Sequence, residues 1–131
     1  MTNTTAHPSG AVTGSPLAWL RLEGAAALVA GAAIYIEQGG PAILLLPFLL
    51  AVDVSMAGYL RGPRLGAAMY NLAHSWAIGL LVLGSGAAAG ITPVVLAGAV
   101  LVAHAGMDRL AGYGLKYPTS FGDTHLGRIG R

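Results

Sequence analysis

ITPVVLAGAVLVAHAGMDRLAGY, residues 91–113, carries no charge until Asp108 and Arg109 and places Pro93 near its start and Gly112 near its end. About 20 apolar residues at about 1.5 Å rise each cross about 30 Å of hydrocarbon, so this stretch reads as a membrane-spanning helix. Working back towards the N-terminus, three more apolar stretches of similar length cover about 16–36, 41–60 and 64–86. Helix-ending residues separate them: Gly39-Gly40-Pro41, then Arg61-Gly62-Pro63-Arg64, then Gly84-Ser85-Gly86. Within hydrocarbon each backbone amide needs a partner inside its own segment, and the alternation that a barrel requires is absent. Short links make neighbouring spans antiparallel. The expectation is an all-α fold, a four-helix transmembrane up-down bundle over 16–113. Residues 1–15, polar and uncharged apart from the terminus and His7, read as a disordered leader, and 114–131 as an interfacial cytoplasmic tail.

Composition agrees with that reading. Apolar residues make up 55% of the 131 and charged ones 9%, against about 25% charged in soluble proteins. A chain this short cannot cover so much apolar surface with itself, which makes the lipid bilayer its partner. Seven cations, with no run of Lys or Arg, exclude a nucleic-acid surface. The lack of cysteine removes disulfides, thiolate metal sites and thiol nucleophiles. Arg21, Arg61, Arg64, Arg109, Lys116, Arg128 and Arg131 all fall on one side of the proposed spans, while the links at 37–41 and 84–92 hold no Lys or Arg. The positive-inside rule then puts both termini in the cytoplasm and the chain in the inner (plasma) membrane as a multi-pass protein. Small residues at helical spacing, such as Ala27 with Gly31 and Ala99 with Ala103, permit close helix approach within one chain or in a homo-oligomer. Pro47 removes a helical bond and should bend span two, with Asp53 on the cytoplasmic side of the bend.

Ionisable groups inside a bilayer cost about 2.5 kcal/mol or more each, so each needs a partner or a task. Counting rise from the span ends, Glu23, Asp53, His74, His104 and Asp108 lie about 7–14 Å inside the cytoplasmic boundary. His104 and Asp108 share one helix face; Asn71, His74 and Ser75 form another; Ser55 and Tyr59 flank Asp53. The expectation is a pocket open to the cytoplasm, with Asp53, His74, His104 and Asp108 as candidate catalytic groups and Arg21, Glu23, Ser55, Tyr59, Asn71, Arg109 and Tyr113 around them. Two imidazoles with carboxylates and no sulfur suit Zn, Mn or Fe, so His74, His104, Asp108 and Asp53 are candidate metal ligands for chemistry on a lipid or amphipathic small molecule. Two other readings stand beside this one. The same groups can relay protons in a proton-coupled transporter or channel. They can also merely lock helices together in a structural or accessory subunit, with Asp108 orienting His104 and with Asp53 or Glu23 paired to Arg21 or Arg109.

In the tail, Tyr113, Tyr117 and Phe121 suit a headgroup-level belt, with Lys116 and Arg128 facing phosphates. Alternatively the tail folds back over the mouth and brings Asp123 and His125 to the cluster as further ligands or acid/base groups. Five motifs carry a family resemblance: Arg21-Leu-Glu23-Gly, Asp53-x-Ser55-Met-x-Gly-Tyr59, Tyr70-Asn71-x-x-His74, His104-x-Gly-x-Asp108-Arg109-x-x-Gly-Tyr113-Gly-Leu-Lys116-Tyr117-Pro, and Thr124-His125-Leu-Gly-Arg128-Ile. Over about residues 16–130 the chain resembles a small bacterial integral-membrane family known as a domain of unknown function, number forty-two sixty. The resemblance implies a bacterial four-span membrane protein and transfers no activity, substrate or cofactor.

Overall fold

A computed structural model describes residues 10–129. Helix α1 covers Gly14–Glu37, and α2 covers Ala42–Ala51 and runs directly into a 3-10 helix over Val52–Arg61. Then come α3 (Pro63–Ala73), α4 (Trp76–Ala89) and α5 (Thr92–Ala111), followed by a two-stranded antiparallel hairpin of β1 (Asp123–Thr124) and β2 (Gly127–Arg128). Three helical stretches, α1, α2 with its 3-10 continuation, and α5, are long and apolar enough to cross a membrane. The pair α3 and α4, bent by 46° at its junction, makes a fourth if it counts as one span. Val29, Ile43, Leu60 and Leu81 stand between 67% and 90% exposed, which only a lipid surround makes favourable.

The turn signals locate most helix ends. Pro41, Pro63 and Pro93 sit at helix starts, where a missing N–H removes no helical bond. The third link differs from the sequence expectation. Helix α4 passes through Gly84-Ser85-Gly86 and ends at Ala89, where Gly90 takes φ +68° and Ile91 N donates to Gly86 O at 2.9 Å. Gly86 serves packing instead, with Val95 N against its open side. At the other end α1 begins at Gly14, inside the stretch read as a leader, and Val12 N donates to His125 O at 3.0 Å. Residues 1–9, with His7, and Gly130 and Arg131 lie outside the described residues.

Helix α5 is the centre of the structure, antiparallel to α1 on one side and to α4 on the other. Its buried stripe includes Ala99, Ala103, His104 and Ala105, all wholly inaccessible. Backbones approach closely along α1, because a Cβ on Gly31 would lie 2.7 Å from both Ala103 N and Ala99 O. One on Gly106 would meet Gly24 O and Leu28 N at 2.5 Å. Dispersion contacts at such separations replace the hydrophobic drive that lipid cannot supply. Gly106→Val is therefore expected to destabilise the detergent-solubilised chain by about 1–3 kcal/mol or more in thermal unfolding. Gly84→Ala, whose added Cβ meets nothing within 4 Å, should leave the midpoint unchanged or slightly raised.

Candidate metal centre

Three elements deliver the central side chains. The 3-10 winding of Val52–Arg61 repeats every three residues, so Asp53, Met56 and Tyr59 lie on one face. His74 sits in the break between α3 and α4, and α5 contributes His104 and Asp108 one turn apart. Nothing in the residue types at 74–75 demands a break, since neither Gly nor Pro is present. The last helical bond of α3 ends on His74, whose backbone N and ring Nδ1 both donate to Tyr70 O, at 2.9 and 2.8 Å, and a tertiary contact takes up the carbonyl that the break frees. Arg109 Nη2 donates to His74 O at 3.3 Å, and its Nη1 to Tyr113 O at 2.8 Å. Broken helices at membrane depth occur where the freed backbone lines a cavity or meets protein partners, as it does here.

The two imidazoles, both wholly buried, point Nε2 towards Nε2 at 2.9 Å. Asp53 Oδ1 lies 3.3 Å from each of these nitrogens, so three ligand atoms converge on one point. Asp108 flanks them, with Oδ2 3.5 Å from His74 Nε2 and Oδ1 3.6 Å from His104 Nε2, and it accepts a 2.8 Å hydrogen bond from Tyr70 Oη. A tetrahedral ion with bonds of about 2.0–2.1 Å separates its ligand atoms by about 3.3–3.4 Å, which is the scale of this triangle. Carbonyl oxygen only accepts, so the bond to Tyr70 O fixes the proton of His74 on Nδ1 and leaves Nε2 a free lone pair. The Tyr70 ring stacks on His74 at 3.7 Å between centroids and fixes its plane. His104 Nδ1 is buried and has no hydrogen-bond partner of ordinary geometry among the described residues. Asp53, with its side chain 37% exposed, faces a cavity of about 220 Å³ that Asp108, Tyr113, Lys116, Phe121 and Ile129 also line.

The tail forms the roof of that cavity. Asn71 ties it down reciprocally, with Nδ2 donating to Lys116 O at 2.8 Å and Oδ1 accepting from Lys116 N at 2.7 Å. Lys116 Nζ donates to Phe121 O at 2.7 Å and sits 3.5 Å from the Phe121 ring centroid and 4.7 Å from that of Tyr70. Burial pulls this ammonium below the usual lysine range, an effect that Asp108 and Asp53 oppose.

The tail packs over the cavity, the arrangement of the alternative reading, but it does not bring Asp123 and His125 to the cluster. His125 Nδ1 accepts from Leu115 N at 2.9 Å, while Asp123 Oδ2 accepts from Thr119 at 2.6 Å and Asp123 Oδ1 lies 3.6 Å from Arg128. Neither belongs to the convergent group. Glu23 lies on the exposed face of α1, away from the cluster, and Arg21 Nε donates to Leu110 O at 2.8 Å. Among the described residues no ion pair joins Asp53 or Glu23 to Arg21 or Arg109, so the expected carboxylate–arginine lock is absent. Ser55 Oγ is buried without a hydrogen-bond partner among the described residues, and Met56, not Ser55, lines the cavity with Asp53. Sequence reasoning gave Tyr70 no role and gave Lys116 only a headgroup contact. Tyr70 was within reach of it, one helical turn before His74; Lys116 carried no signal of its place.

His125 supplies a test of the tail. Burial first, and then the nearby Arg109 cation, lower its affinity for a proton, so the folded chain holds it neutral. The unfolded tail gains a proton below its ordinary value of about 6.5 that the docked tail resists, so docking weakens as pH falls from about 7 towards 5. Hydrogen-exchange protection factors of residues 113–129, taken relative to the intrinsic rate at each pH, should fall over that interval in the wild type, and His125→Gln should flatten their pH dependence.

Residues 17–129 match the family model described as Domain of unknown function (DUF4260). No curated protein and no solved structure matches the chain.

Proposed function

The chain belongs to the DUF4260 family, and since that membership carries no activity with it, we propose from the site itself that Asp53, His74 and His104, flanked by Asp108, hold a divalent metal ion for chemistry on an amphipathic small molecule. The supporting observation is the convergence of Nε2, Nε2 and Oδ1 at 2.9–3.3 Å with the His74 lone pair aimed inward. Three protein ligands beside a cavity correspond to a catalytic rather than a closed structural site. The nitrogen–oxygen set suits Zn, Mn or Fe, and such an ion supplies a Lewis acid and a water acidic enough to act near neutral pH. Tyr70 orients His74 and Asp108, and the tail excludes bulk water. In this reading the chain is a four-span up-down bundle in the inner membrane with both termini in the cytoplasm, and the site opens towards the inner leaflet. Arg21 and Leu110 at one end, with Arg109 and Lys116 nearby, agree with a cation-rich cytoplasmic face.

Ligand binding to the folded state alone raises its stability by about 2.7 kcal/mol at a hundredfold excess over Kd. Zn²⁺ or Mn²⁺ should therefore raise the thermal midpoint of the solubilised chain, and the rise should vanish in His74→Ala. No shift with Zn²⁺, Mn²⁺ or Fe²⁺ would contradict the reading.

The 2.9 Å contact of two Nε2 atoms also favours a second reading, a proton shared between the imidazoles and handed to Asp53 at the mouth. That reading requires flux in liposomes driven by a pH gradient and lost in Asp53→Asn; a metal enzyme shows none. If neither metal nor flux is found, the polar groups only lock the helices.

A further inference from the structure

Lys116 is 4% exposed and carries three N–H donors, of which only the one to Phe121 O meets a hydrogen-bond acceptor among the described residues. The rings of Phe121 and Tyr70 hold the ammonium by its charge without satisfying the other two donors. Among the described residues no carboxylate forms an ion pair with it, although Asp53 and Asp108 line the same cavity of about 220 Å³. A buried ammonium left in this condition has room for an anionic acceptor beside it.

Charge balance identifies that acceptor. The carboxylates of Asp53 and Asp108 offset the cations of Lys116 and Arg109, and both hydrogen bonds found for Arg109 go to backbone carbonyls. With neutral imidazoles, a divalent ion then leaves two uncompensated positive charges at a partly buried site. A phosphate monoester carries about −1.5 to −2 near neutral pH and offers three acceptor oxygens, which matches both the charge and the unused donors. At about 220 Å³ the enclosure is smaller than the about 300–1,000 Å³ of drug-sized pockets, so it admits a headgroup and leaves any acyl chain outside.

We propose that the cavity bordered by Asp53, Asp108 and Lys116, which adjoins the His74–His104–Asp53 centre through Asp53, binds a phosphate group, with Lys116 as its recognition cation. This rests on the metal reading and names the substrate class for it: a phosphate monoester, either free or on a lipid.

The test uses the full chain in dodecyl maltoside, which contains no phosphorus, with bound Mn²⁺ counted by electron paramagnetic resonance and inorganic phosphate observed by phosphorus NMR. Phosphate at the site lies close to the paramagnetic ion, so its relaxation should be strongly enhanced over that with free Mn²⁺. Lys116→Met should weaken phosphate about tenfold to a hundredfold, the worth of a charge-assisted hydrogen bond, with Mn²⁺ stoichiometry unchanged. Lys116→Arg should retain most of the affinity. A parallel titration with dihexanoyl phosphatidic acid separates the sources: tighter binding than inorganic phosphate assigns the site to a lipid headgroup, and equal binding to free phosphate monoesters. Mn²⁺ uptake without enhanced phosphorus relaxation, or enhancement indifferent to Lys116→Met, overturns the phosphate site and leaves the metal centre standing. Should the chain refuse Mn²⁺ but take up Zn²⁺ or Fe²⁺, the same phosphate titration of wild type and Lys116→Met is read by calorimetry on that form with the same outcomes; failure to take up all three ions overturns the metal reading and the phosphate site together.

Discussion

His104→Ala is expected to lower the affinity for Zn²⁺ or Mn²⁺ by more than about a hundredfold, beyond the 10–100-fold typical of losing an outer-shell partner. The variant removes one corner of a triangle whose sides are 2.9, 3.3 and 3.3 Å. It leaves His74 and Asp53, which cannot enclose an ion from two sides. Tyr70→Phe deletes only the 2.8 Å hydrogen bond to Asp108 and should fall within the 10–100-fold range. The order of the two losses is the informative part, because a cluster serving only as a helix lock would show no metal affinity for either variant to lose. Competition against a chromophoric chelator measures both. Thermal midpoints taken in EDTA show how much of the His104→Ala effect is lost packing alone.

Arg109→Met should destabilise the chain by about 3 kcal/mol or more, since each hydrogen bond from a charged donor contributes about 1.5–3 kcal/mol and two are removed. The carbonyls of His74 and Tyr113 would be left unpaired, the first inside the helix break and the second where the tail leaves α5. The same guanidinium therefore holds open the bend that presents His74 and starts the roof over the cavity. Unfolding in detergent should report the loss, and limited proteolysis should find residues 113–129 cleaved earlier than in the wild type. Arg21→Met is the contrast. Its one bond, to Leu110 O, is exposed, and its removal should cost less than about 1 kcal/mol.

What could be read from the sequence follows from how local each determinant is. Apolar stretches of spanning length and the proline-marked starts at Pro41, Pro63 and Pro93 reappear as helices, because hydrocarbon leaves the backbone no other choice. The meeting of His74, His104 and Asp53 was legible too, since ionisable groups at equal depth must find each other or face lipid. The break at His74 was not legible. It coincides with a contact from Arg109, which lies thirty-five positions away, and not with a breaker residue. Gly84-Ser85-Gly86 looked like a link, but a glycine in a membrane helix reflects close packing as often as chain reversal, and Gly86 lies against Val95. Ser55 was placed beside Asp53 by nearness in sequence, but residues two positions apart share no face in α or 3-10 winding. Glu23 was placed at the cluster by depth alone, and depth says nothing of rotation about the axis; its side faces outward. The tail was the least legible part, because its register depends on bonds to its backbone, such as those from the Asn71 side chain to Lys116 and from Val12 N to His125 O.

The most direct test of a metal centre is a metal count. The wild-type chain, equilibrated in turn with Zn²⁺, Mn²⁺ and Fe²⁺ and then dialysed against metal-free buffer, should retain about one ion per chain of at least one of them by elemental analysis. The double variant His74→Ala/His104→Ala should retain none. Wild-type protein holding no more of any of the three metals than the double variant would contradict the account.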